Sequence, residues 1–373
     1  MRMKTSMGLI LMSVLLIVMG MGGCVPYTKG KILFQSDRDG ANNLYVMNAD
    51  GSGQRNLTGL RCPTPTGLCD VLEYMLASPD GKQVAISLNV DEDKKSEIYL
   101  INIENGAPTN LTKKLGSVDA FAWSPDGKQI ALVAEQDVIV LDASRALSTN
   151  NIYIMDADGT QVRRLTIDNT TSQYSKLSWS PDGKKLAFGM KSELSSGGFF
   201  SVGIHLMSIS DGKLTALTRP SGIVAGDPIW SLDGRHILYD AGTASNNLNV
   251  MNADGTDQIA LTTNALSWLE DASWSPDGKK IVFSALQFQA PCSKCSYIYV
   301  VNADGTNLID LSKGSLSHDT EPSWSPDGKY IVFASKQNSS ESHLYIMGAD
   351  GADQKRLTNG PGEEDAPIWL PSP

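Results

Sequence analysis

Carboxylates recur at one place in this chain, a few residues ahead of a repeating tryptophan. Glu73, Asp119, Asp227, Glu270, Asp271, Asp319, Glu321, Glu364 and Asp365 all stand there. Crowded carboxylates attract a cation or a basic peptide segment, and an all-oxygen ligand set suits calcium. The same residues can instead cap the backbone where a strand begins. Asp119, Asp227, Asp271, Asp319 and Asp365 are therefore carried forward as candidate partner-binding groups. No metal or cofactor is expected, with a calcium ion at the acidic mouth as the alternative. The many Asp-Gly pairs lack the dense Asp-x-Asp-x-Asp spacing of a calcium loop and read as turns.

Other reactive side chains are sparse. The four histidines, His205, His236, His318 and His343, are scattered over different segments and predict no shared metal cluster. No Gly-x-Ser-x-Gly nucleophile element occurs. The carboxylates repeat with the unit and do not form a lone acid/base pair. The expectation is a protein that is not an enzyme. Cys62, Cys69, Cys292 and Cys295 allow three pairings. Pairing between sequence neighbours is favoured, Cys62 with Cys69 and Cys292 with Cys295. Cys292-Ser-Lys-Cys295 also reads as half a zinc site, without a second half.

Several bulky apolar residues have no repeat role: Trp268, Phe199, Phe200, Phe288, Leu266 and the run Val138 to Leu141. Aromatics beside polar loops suit contact with protein or sugar. Alternatively the loops fold over and bury them, and Val138 to Leu141 can form an extra edge strand. Trp268, Phe199, Phe200 and Phe288 join the acids as a candidate contact surface.

These residues hang on a unit that recurs seven times, about 50 residues apart. Its clearest copy is Ala122-Trp123-Ser124-Pro125-Asp126-Gly127-Lys128, an alternating apolar run, Ile152-Tyr153-Ile154-Met155-Asp156-Ala157-Asp158-Gly159-Thr160, and Leu165-Thr166. Strand a ends in the Trp, with Ala77 in its place in the second unit. Ser-Pro-Asp-Gly turns the chain into strand b, where apolar residues alternate, as in Ile281 and Phe283. Strand c is of the Ile-Tyr-Val-Met type, and an Asp-Gly turn leads to strand d. The first unit begins at strand b with Lys31-Ile32-Leu33-Phe34. Asp365-Ala366-Pro367-Ile368-Trp369 is a strand a with nothing after it. The two fragments complement each other. The expected fold is all-β: a seven-bladed β-propeller with four antiparallel strands per blade, closed by pairing the C-terminal strand with the N-terminal blade.

In such a ring the a–b and c–d turns share one face and the d–a and b–c loops the other. The turns are short and stereotyped. The opposite loops vary, being long at Arg61 to Asp70, Glu135 to Asn151, Lys191 to Val202 and Leu286 to Ser296. A rigid scaffold places binding groups on such loops.

Trp-Ser-Pro-Asp-Gly-Lys followed by Tyr-x-Met-Asn-Ala-Asp-Gly and Leu-Thr resembles the TolB-type, WD40-like (PD40) propeller repeat, over about residues 31 to 370. The resemblance implies a non-catalytic protein-binding or scaffold module of the cell envelope, with a protein or peptidoglycan-associated partner. This chain departs from TolB in blade number, since TolB has six blades and an additional N-terminal domain. Related propellers belong to prolyl-oligopeptidase enzymes and to oligogalacturonate lyase. A glycan-binding or glycan-degrading (lyase-type) propeller is thus the alternative.

Residues 1–23 read as a signal peptide: Arg2 and Lys4, an apolar stretch from Met7 to Met21, then Gly22-Gly23-Cys24. Small residues before a cysteine resemble a bacterial lipobox, which implies cleavage before Cys24 and a lipid on its sulfur. An ordinary signal peptide or an anchor helix is the alternative. The expected organisation is a leader over 1–23, a lipidated tether over 24–30 and a propeller over 31–373. The expected location is extracytoplasmic and membrane-anchored, as a bacterial lipoprotein. The formal charge of −10 disfavours nucleic acid and anionic lipid as direct ligands and accommodates a basic partner or a cation. A monomer is expected.

Overall fold

The computed structural model describes residues 30–59, 72–89, 95–113, 115–142, 145–166, 173–192, 201–218, 224–242, 247–262, 266–287, 295–312, 317–337 and 339–371. All its regular elements are strands. The chain opens with β1 (Lys31–Ser36), β2 (Asn43–Asn48) and β3 (Arg55–Asn56). The second blade follows with β4 (Leu72–Ala77), β5 (Gln83–Asn89), β6 (Ser96–Asn102) and β7 (Pro108–Asn110). The third has β8 (Val118–Trp123), β9 (Gln129–Asp142), β10 (Arg145–Asp156) and β11 (Arg163–Arg164). The fourth has β12 (Gln173–Trp179), β13 (Lys185–Ser192), β14 (Ser201–Ser208) and β15 (Leu214–Ala216). The fifth has β16 (Val224–Trp230), β17 (His236–Gly242), β18 (Asn247–Asn252) and β19 (Ile259–Ala260). The sixth has β20 (Ser267–Trp274), β21 (Lys280–Gln287), β22 (Cys295–Asn302) and β23 (Ile309–Asp310). The seventh has β24 (Asp319–Trp324), β25 (Tyr330–Ser335), β26 (His343–Gly348) and β27 (Lys355–Arg356), and β28 (Glu364–Trp369) ends the chain.

Seven four-stranded antiparallel sheets result, and β28 completes the first in the order β28-β1-β2-β3. Ile32 lies opposite Trp369 and Leu33 opposite Ile368. The fold is the seven-bladed propeller expected, closed where the two chain fragments meet. A buried network locks the seam. The Glu364 carboxylate accepts from Arg38, from the Thr358 hydroxyl and from His343 Nδ1, the last at 3.0 Å. The Arg38 guanidinium also lies 4.7 Å from the Tyr45 ring centre.

Each repeated residue has a local task. Ser124 Oγ donates to Asp126 Oδ1 at 2.7 Å and accepts the Gln129 N–H at 2.9 Å, while Gly127 takes φ 68°. The Leu-Thr pair ends strand d because its hydroxyl accepts the N–H at the start of strand c. Thr58, Thr112, Thr166, Thr218, Thr262, Ser312 and Thr358 do so at 2.8 to 3.2 Å, once in every blade. Without that partner each blade would bury an unsatisfied amide.

The core lies between blades. Ile32, Phe34 and Met47 of the first blade meet Val332, Leu344 and Leu357 of the seventh. Phe34, Phe188, Phe283 and Phe333, all on strand b, are almost wholly buried, each contributing roughly 2–3 kcal/mol. Indoles bridge blades as well: Nε1 of Trp123, Trp179 and Trp274 donates to the carbonyl of Leu76, Ala122 and Ile229 in the preceding blade.

One connection differs from expectation. The third unit's b–c segment, read as a loop from Glu135 to Asn151, continues as paired β-ribbon, with Val138 opposite Ser148 and Asp142 opposite Arg145. Its backbone keeps alternate pairing, broken by register shifts at Arg145/Ala146 and Thr149/Asn150. Val138 to Leu141 thereby lengthen strand b and do not form a separate edge strand.

Candidate functional site

Strand a lines the axis. β12 packs against β8 and β16, and β24 against β20 and β28. Three residues before the Trp, strand a bulges. Lys176, Asp227, Asp271, Glu321 and Ala366 have φ of 29°, 51°, 55°, 55° and 49°, and pairing with strand b skips there. Left-handed backbone is uncommon for residues other than glycine, and a bulge re-aims its side chain. Five blades in succession adopt it, so the fourth to sixth and the seventh direct one cation and three carboxylates towards the axis.

The bulges are joined across blades. Glu321 Oε2 accepts the Ala366 N–H at 2.6 Å, and the Asp271 carboxylate accepts the Glu321 N–H. Lys176 Nζ lies 2.9 Å from Asp227 Oδ2, with both side chains about half exposed. Burial works against the Lys176 ammonium, but the Asp227 charge and hydrogen bond outweigh it and raise its pKa. Desolvation pushes Glu321 up to about 7; the Ala366 N–H opposes this, and Asp365, Asp271 and Glu270 add to it. Asp271 is exposed at the rim of a pocket shared with Asp227 and Glu270. Desolvation, then Glu270, raises its carboxyl. Desolvation, then Asp227, does the same to Asp240.

A pocket of about 380 Å³ opens between the fifth and sixth blades. Lys176, Asp227, Tyr239, Asp240, Glu270 and Asp271 supply its polar wall, and Ile229, Leu238, Leu248 and Leu269 its apolar wall. Such a site fits a cationic head on an apolar stem. Among the described residues no three His, Cys, Asp or Glu side chains converge to hold a metal ion.

The acids named from sequence divide into two sets. Asp227 and Asp271 meet in the pocket. Asp365 is partly buried beside Ser342, and desolvation raises its pKa. Asp119 is exposed and accepts from Asn150 Nδ2 at 2.9 Å. Asp319 is only 3% exposed, with its oxygens taken by Ser312 at 2.6 Å and Ser335 at 2.5 Å. It serves the hydroxyl that ends strand d, as Glu364 does at Thr358, and presents nothing to a partner. Trp268 lies in β20, but only its backbone is described. Phe199, Phe200, Phe288, Cys24, Cys62, Cys69 and Cys292 lie outside the described residues. Cys295 is buried and disulfide-bonded, its partner also outside them. Sequence reasoning passed over Lys176, Tyr239 and Asp240. Lys176 was findable, because it stands at the same distance before its Trp as Asp227 and Asp271.

Residues 76–264 and 271–372 match the model of the TolB beta propeller domain. A protein named TolB homolog from Chlorobium luteolum is 29% identical over 251 residues, covering 66% of this chain and 53% of that protein. The chain spans between 28% and 53% of the length of the curated relatives it matches. Among solved structures, the propeller domain of the Trilobed protease from Pyrococcus furiosus, described with an open velcro topology, superposes with TM-score 0.63 at 17% identity. That match covers 90% of this chain and 96% of that one. An oligogalacturonate lyase from Vibrio parahaemolyticus has TM-score 0.59 at 16% identity, covering 89% and 87%. At such identities the likeness is one of fold, shared by binding and catalytic propellers alike. With the family model matched over most of its blades, the chain belongs to the TolB beta propeller domain family.

Proposed function

We propose that this chain is a membrane-anchored, extracytoplasmic propeller that binds a protein partner without catalysing a reaction, and that the acid-rich end of its axis takes a basic segment of that partner. The observation that carries this reading is the run of bulged carboxylates Asp227, Asp271 and Glu321 beside the pocket between the fifth and sixth blades. Family membership supports a binding role, and the lipobox-like Gly22-Gly23-Cys24 supports a lipid anchor. Among the described residues no helix is long and apolar enough to cross a membrane.

Lys176 shapes the preference. It neutralises Asp227 and leaves Asp271, Glu270 and Glu321 for the incoming cation. Complementary charge at a mouth speeds encounter and fixes register more than it adds affinity. The test is an array of basic peptides, peptidoglycan fragments and acidic oligosaccharides, read for binding and for turnover. Basic peptides should bind, and Asp271→Asn with Glu321→Gln should weaken them by about tenfold. Turnover of an oligosaccharide, or peptide binding unchanged in the double variant, would overturn the proposal.

A further inference from the structure

The face bearing the a–b and c–d turns carries a pattern that the acidic mouth does not use. Gly30, the first described residue, sits on that face. Its carbonyl accepts the Ala49 N–H at 3.1 Å, as the carbonyls of Lys128, Arg235, Lys279 and Lys329 accept from Ala157, Ala253, Ala303 and Ala349 at 2.8 to 2.9 Å. Gly30 therefore occupies the position that follows the Ser-Pro-Asp-Gly turn in other blades, and the chain enters the propeller there.

From this geometry we infer that the turn face lies against a lipid bilayer and the loop face points away from it. The inference rests on the anchor at Cys24. Six residue steps separate Cys24 from Gly30, so even fully extended they reach only about 20 Å. A lipidated Cys24 cannot cross to the loop face on so short a tether without running along the outside of a blade.

A second observation lies on the opposite side of the ring. Leu232 is 63% exposed, Ile309 52%, Leu308 44%, Val162 43%, Leu214 40% and Ile259 39%. They occupy the turns and lower outer strands of the third to sixth blades, while the tether enters at the first. At the outer-strand position of Ile259 and Ile309 the first, third and seventh blades carry Arg55, Arg163 and Lys355 instead. Anchor on one side and aliphatic groups on the other give two attachments, which is what stable seating on a membrane requires.

The turns supply amines that report on this face. Lys82, Lys128, Lys184, Arg235, Lys279 and Lys329 follow the six Ser-x-Asp-Gly turns, and the side chains of Lys128, Arg235 and Lys329 are 80%, 81% and 71% exposed. These three lie 3.8, 4.0 and 3.7 Å from the aspartates of their own turns, Asp126, Asp233 and Asp327. Each turn therefore carries its cation and its carboxylate together, and the short tether and the exposed aliphatic groups carry the orientation.

The experiment is amine-labelling footprinting by mass spectrometry, with and without vesicles of zwitterionic lipid containing a minority of anionic lipid. Two preparations are compared: the native membrane-extracted protein, and the chain from residue 24 coupled through Cys24 to maleimide-headgroup lipid. Bilayer contact should slow labelling of Lys128, Lys279 and Lys329 by about threefold or more and leave Lys336, on a b–c loop, nearly unchanged. Leu232→Glu with Ile309→Glu, both at exposed sites, should restore labelling of Lys279. Protection of Lys336 in place of Lys128 and Lys329, or none on either face, would overturn the orientation in both preparations. Native protein that fractionates as soluble, or membrane association unaltered by Cys24→Ser, would remove the anchor reading. The coupled preparation would still decide which face the short tether presents.

Discussion

Glu321 in the seventh blade holds the backbone N–H of Ala366 in the closing strand, at 2.6 Å across the seam of the ring. The N–H is available because Ala366 sits in a left-handed bulge, φ 49°. One carboxylate thus ties the chain's last strand to the blade beside it while facing other acids in the channel.

Its raised pKa has a definite consequence for stability. The folded-state value is about 7 against an ordinary 4.5, so between those pH values the native protein holds a proton that the unfolded chain has released. This contribution is fully present below about pH 4.5 and is lost as pH rises through about 7. Urea midpoints should fall across that window, and Glu321→Gln should flatten the fall by about 1–3 kcal/mol. A slope unchanged in the variant would mean that Glu321 ionises normally.

Turn aspartates act in the opposite direction. Asp80, Asp126, Asp182 and Asp277 are held below the usual carboxylate range, first by the serine hydroxyl of their turn. Their stabilisation is present above the unfolded pKa and is lost as pH falls through the folded one. Stability should therefore peak in mildly acidic solution. Ser124→Ala with Ser180→Ala should move the acid-unfolding midpoint upward, as followed by circular dichroism.

The seam should be the weakest place to injure. Glu364 is fully buried among Arg38, His343 and Thr358. Glu364→Ala leaves cationic and hydroxyl partners without an acceptor and should cost about 3–5 kcal/mol. Thr262→Val, at a blade remote from the seam, removes one hydroxyl acceptor from the Leu248 N–H and should cost about 1–2 kcal/mol. Chemical denaturation of the two variants checks the ranking.

Glycine turns separate backbone conformation from close approach. Gly40 and Gly51 have φ of 85° and 88°, but a Cβ would meet nothing within 4 Å at Gly40 and the Leu357 carbonyl oxygen at 2.5 Å at Gly51. Gly40→Ala should cost about 1–2 kcal/mol from backbone strain alone. Gly51→Ala should cost clearly more, because it pushes the first blade off the seventh. Equal thermal shifts would contradict the inter-blade contact.

Read as a string, the chain already contained its ring. Seven turn signals with period-two apolar runs between them specify hairpins locally. An opening that lacks strand a, and an ending that is strand a alone, leave pairing as the way to cover both edges. The division of labour among the carboxylates was not legible. Asp319 and Asp271 look alike as acids shortly before a tryptophan, yet one is buried under two hydroxyls and the other is exposed. Both strands bulge at the third residue before the Trp; Asp271 stands in its bulge, whereas Asp319 stands five residues before its Trp, ahead of the bulge at Glu321. The bulges bring Asp271, Glu321 and Ala366 of neighbouring blades within hydrogen-bonding reach of one another. That convergence belongs to the closed ring, so only the tertiary structure could decide which acids form a site.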